Sequence, residues 1–487
     1  MNIALIYAIE SSIAPSSGGG GVGVGGQVFP TSQYAIPIFL AMIFAAAVIS
    51  SRSKIPHTMI LVGFGIAISF FDFAGLTIID IKQFRIDPKL IINFIIPPLI
   101  FEAMMKVNYK EFKAIRISAL LLATIGVVVA TLVAGLLLTY IAGLAFSVAF
   151  TFAALIAPTD PAIVIEIFKR VKVPKQLSTL MEFEASFNDA TGLIVFSSIT
   201  ALTFAAAAVS TTISSNNSNV LSPPQASSPI TTTPTIANFI SDNFSLNNLY
   251  FINQTEHFVI VFLGGAVVGL AIAAATHRLH ALMNDPFSET ALTVATVFGS
   301  VAAANSLGLS GLVAAAVAGL YFGNVTVKQE AYMSLKVRLS VFNFWETIAF
   351  FANSAVFLYL GVSMNIVSIG QNFLLIMLAF VTVLAARVAS TYPILGAINR
   401  FTKEKIPMVW RHIVVLGGMR GALSIALVGS LPESNLKNTI ATITFGVVLS
   451  SLIAQYIGLT RYVKKVFPIE KADDVDDIIS SSSSHPK

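Results

Sequence analysis

Glu184, Asn188 and Asp189 stand within six residues of one another in a stretch that is mainly apolar from Leu177 to Ala207. A soluble helix would place such groups on a wet face, but here there is no wet face. Apolar runs of this length recur along the chain, and only 11% of its residues are charged against 55% hydrophobic. A soluble domain is roughly 25% charged. Lipid is therefore the expected solvent, as the mean hydropathy of +0.82 also indicates. With no cysteine there is no disulfide framework and no thiolate metal site. No basic stripe of the kind that binds nucleic acid is present.

Crossing the hydrocarbon core takes about 20 mainly apolar residues in a helix. The chain holds thirteen such stretches: Tyr34–Ser51, Thr58–Ile79, Pro88–Met105, Ile115–Tyr140, Leu144–Phe168, Leu177–Ala207, Phe258–Thr276, Thr290–Leu307, Leu309–Phe322, Val341–Met364, Phe373–Ile394, His412–Leu431 and Ile440–Thr460. The fold class expected is an all-α polytopic membrane protein. Lys and Arg set its orientation. With the N-terminus outside, 23 of the 29 basic residues fall in inner segments and four, Lys82, Arg85, Lys89 and Lys437, in outer ones. Arg387 and Arg420 are left within spans. The expectation is a multi-pass plasma-membrane protein with its N-terminus outside and its C-terminus in the cytoplasm.

This divides the chain into an external segment 1–33, a transmembrane domain 34–465 and a cytoplasmic tail 466–487. Met1–Ile13 is apolar without a basic n-region, so a standard signal peptide is not expected. The loop 210–256 is rich in Ser, Thr, Asn and Pro and has no Lys or Arg, as an external loop should. It carries sequons at Asn216, Asn243 and Asn253, which serve as glycan acceptors or are chance matches in an Asn/Ser-rich loop.

Ionisable groups inside spans are costly and mark function. The fifth span contains Ala157-Pro158-Thr159-Asp160-Pro161. Two prolines three residues apart break the helix. Backbone freed at mid-depth is tolerated only against protein or a water-filled cavity, and it can bind cations. A plain proline kink with Asp160 capping the second half-helix is the other reading, and the two are compatible. In the sixth span, Glu184 and Asp189 point roughly 140° apart at about 100° per residue, so they should do different jobs. Ser186 lies on the face of Asp189 and offers it a hydroxyl. In the eleventh span a lone Arg387 needs a carboxylate, and Glu184 is the best placed; snorkelling to the inner surface is the alternative. The twelfth span has Gly417-Gly418-Met419-Arg420-Gly421, either a second broken helix opposed to the first or a close-packed small-residue face. Glu102, Asp72 and Glu346 are undecided. His277, His280 and His412 fall near span ends and are expected to be solvated at the interface.

Taken together these residues resemble the monovalent cation:proton antiporter family, in its NhaP-like and NHE-like sodium/proton exchanger branch. The resemblance rests on Thr159-Asp160-Pro161, on Glu184 with Asn188 and Asp189, on the Arg387 helix and on Gly418-Met419-Arg420-Gly421-Ala422. Pro97-Pro98-Leu99-Ile100-Phe101-Glu102 and Ser310-Gly311-Leu312 match more loosely. It implies an NhaA-like fold with inverted repeats and two crossed broken helices, assembled as a homodimer in the bilayer. It implies a cation site at Asp189 with Asp160, Thr159, Ser186 and Asn188, and a structural ion pair of Glu184 with Arg387. Where the family reads Glu-Ser, this chain reads Glu184-Ala185, with the serine one residue later. The function expected is exchange of Na+, or Li+, for H+, with Asp189 taking one or the other. Asn188 in place of a second aspartate makes that exchange electroneutral. Na+ and H+ are substrates; no cofactor and no enzymatic reaction are expected. A potassium/proton exchanger or potassium efflux system is the alternative. A channel would need a filter-like segment, and none is seen.

Overall fold

The computed structural model describes residues 32–53, 55–73, 87–171, 173–216, 248–280, 282, 285–327, 333–418 and 420–467. Among these, every regular element is a helix. In chain order they are α1 (Ser32–Ser53), α2 (His57–Phe73), α3 (Pro88–Lys106), α4 (Tyr109–Ile141), α5 (Phe146–Ile156), α6 (Ala162–Arg170), α7 (Lys175–Asn216) and α8 (Asn248–His280), followed by α9 (Pro286–Ser306), α10 (Gly311–Thr326), α11 (Leu335–Val362), α12 (Ile366–Gln371), α13 (Phe373–Phe401), α14 (Met408–Leu416), α15 (Ala422–Ser430) and α16 (Asn435–Val466).

The thirteen apolar stretches each fall on one helix or one helix pair. Among the described residues, seven helices are long and apolar enough to cross a membrane unaided: α3, α4, α8, α9, α11, α13 and the body of α16. The fifth and twelfth stretches are the interrupted ones, α5–α6 and α14–α15. The part of the second stretch beyond Phe73 lies outside the described residues, as does loop 217–247. The helices flanking that loop reach further into it than the hydropathy indicated, to Asn216 and from Asn248. Ala205–Ala208 explains part of this, since alanine favours helix whether or not lipid surrounds it.

Helix ends follow local chemistry. Asp285 caps α9, accepting from Ser288 N at 2.9 Å, with Pro286 in the first turn. Ser310 caps α10 through Val313 N, and Ser434 caps α16 through Lys437 N. Between α9 and α10 the chain turns at Gly308, whose φ of +70° is the left-handed conformation that glycine takes without a Cβ clash.

The chain divides into two compact units, 1–87 with 354–367, and the remainder. In the smaller unit, the backbones of α2 and α11 meet at Gly65 and Gly361. His57 Nε2 lies 2.9 Å from Ser354 Oγ, and Ser69 donates to Met364 O at 2.7 Å. The larger unit holds both broken helices. There α7 runs against α4 and α5, α13 against α4 and α16, and α15 against α3, α5 and α16. Phe112 of α4 stacks on Phe183 of α7 at 4.4 Å, fixing α7 where its polar segment begins.

Candidate functional site

Breaking a helix frees backbone groups that must find partners away from water. The interruption between α5 and α6 begins at Pro158 and Pro161, neither of which has an N–H to give. Several groups that the break exposes are met by side chains from other helices, and one by Asp160 of the break itself. Ala157 O, which in a continuous helix would accept from residue 161, accepts instead from Arg420 Nη1. The same nitrogen donates to Pro158 O at 3.1 Å. Leu155 O accepts from Ser424 Oγ at 2.8 Å. Thr159 N donates to Asn188 Oδ1 at 3.3 Å, and Asn188 Nδ2 donates back to Thr159 Oγ1 at 2.8 Å. At the start of α6, Ala162 N donates to Asp160 Oδ1 at 2.9 Å. Asp160 does cap the second half-helix. Its carboxylate lies so close to Gly421 that a Cβ there would collide with it.

The second interruption, between α14 and α15, is built the same way. Gly418 N turns back to Val415 O, which leaves Val414 O without its usual donor. Arg387 Nη2 supplies one at 3.2 Å. Arg387 passes beside Gly418, where a Cβ would come within 2.9 Å of its Nε. Each broken helix therefore has the carbonyl end of its first half capped by a buried arginine, α5 by Arg420 and α14 by Arg387. Arg420 had no settled place in the sequence reading, because its partners lie about 260 residues away in the chain. The guanidinium supplies cationic donors where the helix dipole is negative.

Arg387 also grips Glu184, Nη1 to Oε1 at 2.7 Å and Nη2 to Oε2 at 2.8 Å. Glu184 is 0% exposed and Arg387 4%, so snorkelling to the surface is excluded. Asn188 Nδ2 adds a bond to Glu184 Oε1 at 3.1 Å. Asn188, grouped from sequence with the cation ligands, bonds Thr159 through both ends of its amide and Glu184 through its nitrogen. An amide one turn from Glu184 on the same helix face reaches it directly.

Asp189 is different. Its carboxylate makes no hydrogen bond or ion pair among the described residues, and the ionisable groups acting on it are Asp160 and Glu184. It remains partly exposed, unlike Glu184. Ser186 donates its hydroxyl hydrogen to Glu182 O at 2.8 Å, which leaves its oxygen lone pairs as the part that can face a cation.

Two residues escaped the sequence reading. Ser424 looks like one more small residue in an apolar helix. Glu182 lies seven residues before Asp189, which is nearly two full turns, so both project from one face of α7; that spacing was the available signal. Glu182 faces Glu102, Lys106 and Lys169. Glu102 pairs with Lys106, and Glu346 lies 3.6 Å from Lys106 and 3.7 Å from Lys169. Glu102 and Glu346 thus join one cluster on the side bearing the basic rim. The side chain of Asp72 lies outside the described residues.

The histidine expectation needs correcting for His280, while His277 and His412 stay partly exposed. His280 is 0% exposed and lies against Glu289, also 0% exposed. His277 lies 3.1 Å from Thr326 Oγ1, and His412 3.1 Å from Tyr462. Neighbouring helices close over His280, which hydropathy along a single helix cannot show.

Residues 38–465 match the transmembrane family described as sodium/hydrogen exchanger. The chain is 30% identical over 436 residues to the Na(+)/H(+) antiporter ApNhaP of Aphanothece halophytica, covering 88% of this chain and 74% of that one. It is 30% identical over 415 residues to the low-affinity Na(+)/H(+) antiporter NhaS1 of Synechocystis, covering 84% and 68%. In fold it is similar to the sodium proton antiporter MjNhaP1 of Methanocaldococcus jannaschii, with a TM-score of 0.66 at 18% identity over 90% of this chain and 99% of that one.

Proposed function

Because the chain belongs to the sodium/hydrogen exchanger family, we propose that it exchanges Na+ for H+ across a membrane by letting the two compete for Asp189. One observation carries the assignment to Asp189. Of the three acidic side chains at the crossing, Glu184 is held by Arg387 and Asp160 caps α6, while Asp189 has no partner among the described residues. A carboxylate is a hard oxygen ligand suited to an alkali ion, and it is equally a proton acceptor. Thr159, Asp160 and the Ser186 oxygen complete the cation's surroundings.

The charges at the crossing support one-for-one exchange. Asp160, Glu184 and Asp189 bring three negative charges, Arg387 and Arg420 two positive ones. The empty site carries one net negative charge. One Na+ or one H+ brings it to neutrality. A net charge is expensive to carry through the bilayer centre, so the loaded forms cross and the empty one does not. That coupling is electroneutral. The relatives named above are Na(+)/H(+) antiporters, so sodium is favoured over the potassium alternative.

The protein is a multi-pass membrane transporter; we place it in the plasma membrane with the basic rim in the cytoplasm, and as a homodimer. The fold resemblance and the distribution of Lys and Arg support this reading. The test is Asp189→Asn in proteoliposomes with a pH-sensitive dye. Na+-driven proton movement should vanish, and persistence at the wild-type rate would remove Asp189 from the mechanism. Flux that responds to a clamped membrane potential would overturn electroneutrality.

A further inference from the structure

Past Asp189 along α7, away from the end that begins at Lys175, lies a cavity of about 390 Å³ bounded by α3, α7, α8, α9 and α10. Leu193 and Ser197 line it. At four and eight residues beyond Asp189, they stand about 6 and 12 Å further along the helix axis. The cavity therefore lies on the side of Asp189 opposite the basic rim. Its volume holds an ion with water around it. Among its described lining residues there is no carboxylate, lysine or arginine, and His257 is the one titratable side chain.

The wall offers uncommitted oxygens instead. Asn93 lies in a π-helical segment of α3, Ile91–Ile95, of a kind frequent at functional sites. In an α-helix its carbonyl would accept from residue 97, in a π-helix from residue 98, and both are proline. By either pattern the helix has no N–H for Asn93 O. The side-chain amides of Asn93 and Asn305 likewise have no hydrogen-bond partner among the described residues. Ser197 and Ser198 turn their hydroxyl hydrogens back to Leu193 O and Ile194 O, at 2.7 and 2.9 Å, which leaves oxygen lone pairs for the cavity. Gly311 makes room for Asn305, since a Cβ there would come within 2.6 Å of Asn305 Oδ1. The turn that carries this pair is clamped to α8: Ser310 N donates to Val261 O at 3.1 Å, and Ser310 O packs against Gly265. At the two broken helices the freed carbonyls are capped by Arg420 and Arg387. Here no cationic side chain of α3, α7, α8, α9 or α10 lines the cavity to do so among the described residues.

We propose that this cavity is a second Na+ site, built of neutral oxygens, where the ion trades part of its water shell for Asn93, Asn305 and the two serines before reaching Asp189 from the side opposite the basic rim. The proposal rests on the exchange at Asp189 set out above. An ion entering an apolar passage must shed water, and oxygens along the wall lower that cost, as carbonyls do in cation filters. With no carboxylate in its wall, the site binds Na+ weakly and stands outside the competition between Na+ and H+.

Two measurements test it. In membrane vesicles of each orientation, Asn93→Ala/Asn305→Ala should lower the rate at limiting Na+ about threefold or more when Na+ is supplied opposite the basic rim, with the rate at saturating Na+ within about twofold of wild type. Na+ supplied on the basic-rimmed side should give rates within about twofold of wild type. Gly311→Ala, which displaces the Asn305 oxygen and deletes no ligand, should reproduce the sided loss. Equal loss from both sides, or no loss, overturns the proposal and leaves Asp189 in its role. The second measurement needs no transport. In purified Asp189→Asn, Na+ in place of choline at equal ionic strength should raise the melting temperature by about 1 °C or more, and adding the two alanines should abolish that rise. Asn305 is exposed and serves alone if the double variant does not fold. No rise in Asp189→Asn, or a rise that survives the alanine, overturns the proposal whatever Asp189 does in exchange.

Discussion

Arg387 and Glu184 are joined through both guanidinium nitrogens and both carboxylate oxygens, and the same guanidinium caps Val414 O. One side chain therefore ties α7 to the broken helix α14–α15. Removing either partner leaves a buried charge. Arg387→Ala should destabilise the fold by about 3–5 kcal/mol. The double variant Glu184→Leu/Arg387→Met should recover part of that loss, since an apolar pair leaves no charge stranded. Thermal unfolding of purified protein in detergent checks both; a double variant no more stable than Arg387→Ala would contradict the argument.

Arg420 supplies donors that Pro161 and its neighbours cannot. Arg420→Ala should strand the carbonyls of Ala157 and Pro158, at roughly 1–3 kcal/mol for each buried group. Ser424→Ala should cost about 1 kcal/mol, since it strands only Leu155 O. The order of melting temperatures should be wild type, Ser424→Ala, Arg420→Ala. Exchange should fall more in Arg420→Ala than in Ser424→Ala, because only the arginine also sets a positive charge against Glu184.

Gly421 and Gly299 make a matched comparison. A Cβ on Gly421 collides with the Asp160 carboxylate, whereas one on Gly299 meets nothing within 4 Å. Gly421→Ala should abolish or strongly reduce exchange. Gly299→Ala should leave exchange unchanged and stabilise α9 by about 0.5–1 kcal/mol. Dye-based flux and thermal unfolding, run side by side, test the pair.

Competition at one carboxylate has a signature in pH. On the acid side, the KM for Na+ should rise toward about tenfold per pH unit, because each ligand weakens the other reciprocally. A KM for Na+ that stays constant as pH falls would mean that the proton does not compete at this carboxylate.

Asp285 gives a second pH effect, outside the membrane. The Ser288 N–H and hydroxyl hold its carboxyl below the ordinary carboxylate range. The cap therefore contributes stability above the ordinary aspartate pKa and loses it as pH falls through the lowered value. Hydrogen exchange in the first turn of α9 should quicken on acidification in the wild type, and be fast at every pH in Asp285→Ala.

Much of this was readable from spacing alone. Length and hydropathy located the spans, since lipid demands long apolar helices whatever packs beside them. Pro158 and Pro161 announced the break in the fifth span because proline has no N–H. The angular separation of Glu184 from Asp189 along α7 made Arg387 the partner of the first, and the structure joins those two. What spacing did not reveal was which groups would satisfy the broken backbone. Ser424 read as an ordinary small residue until Leu155 O was brought against it, and the bonds of Asn188 to Thr159 had no counterpart in spacing.

The sequence by itself determined that the chain lives in lipid, where it crosses, and that the fifth span is interrupted, because each of these follows from local chemistry and from the solvent. Only the tertiary structure decided which groups each intramembrane charge meets. Arg420 serves a helix about 260 residues away, and His280 is buried against Glu289 rather than solvated at the interface. Asp189 is singled out only because Glu184 and Asp160 are already occupied. Partnership between charges depends on which helices cross, and that is settled by packing across the whole chain.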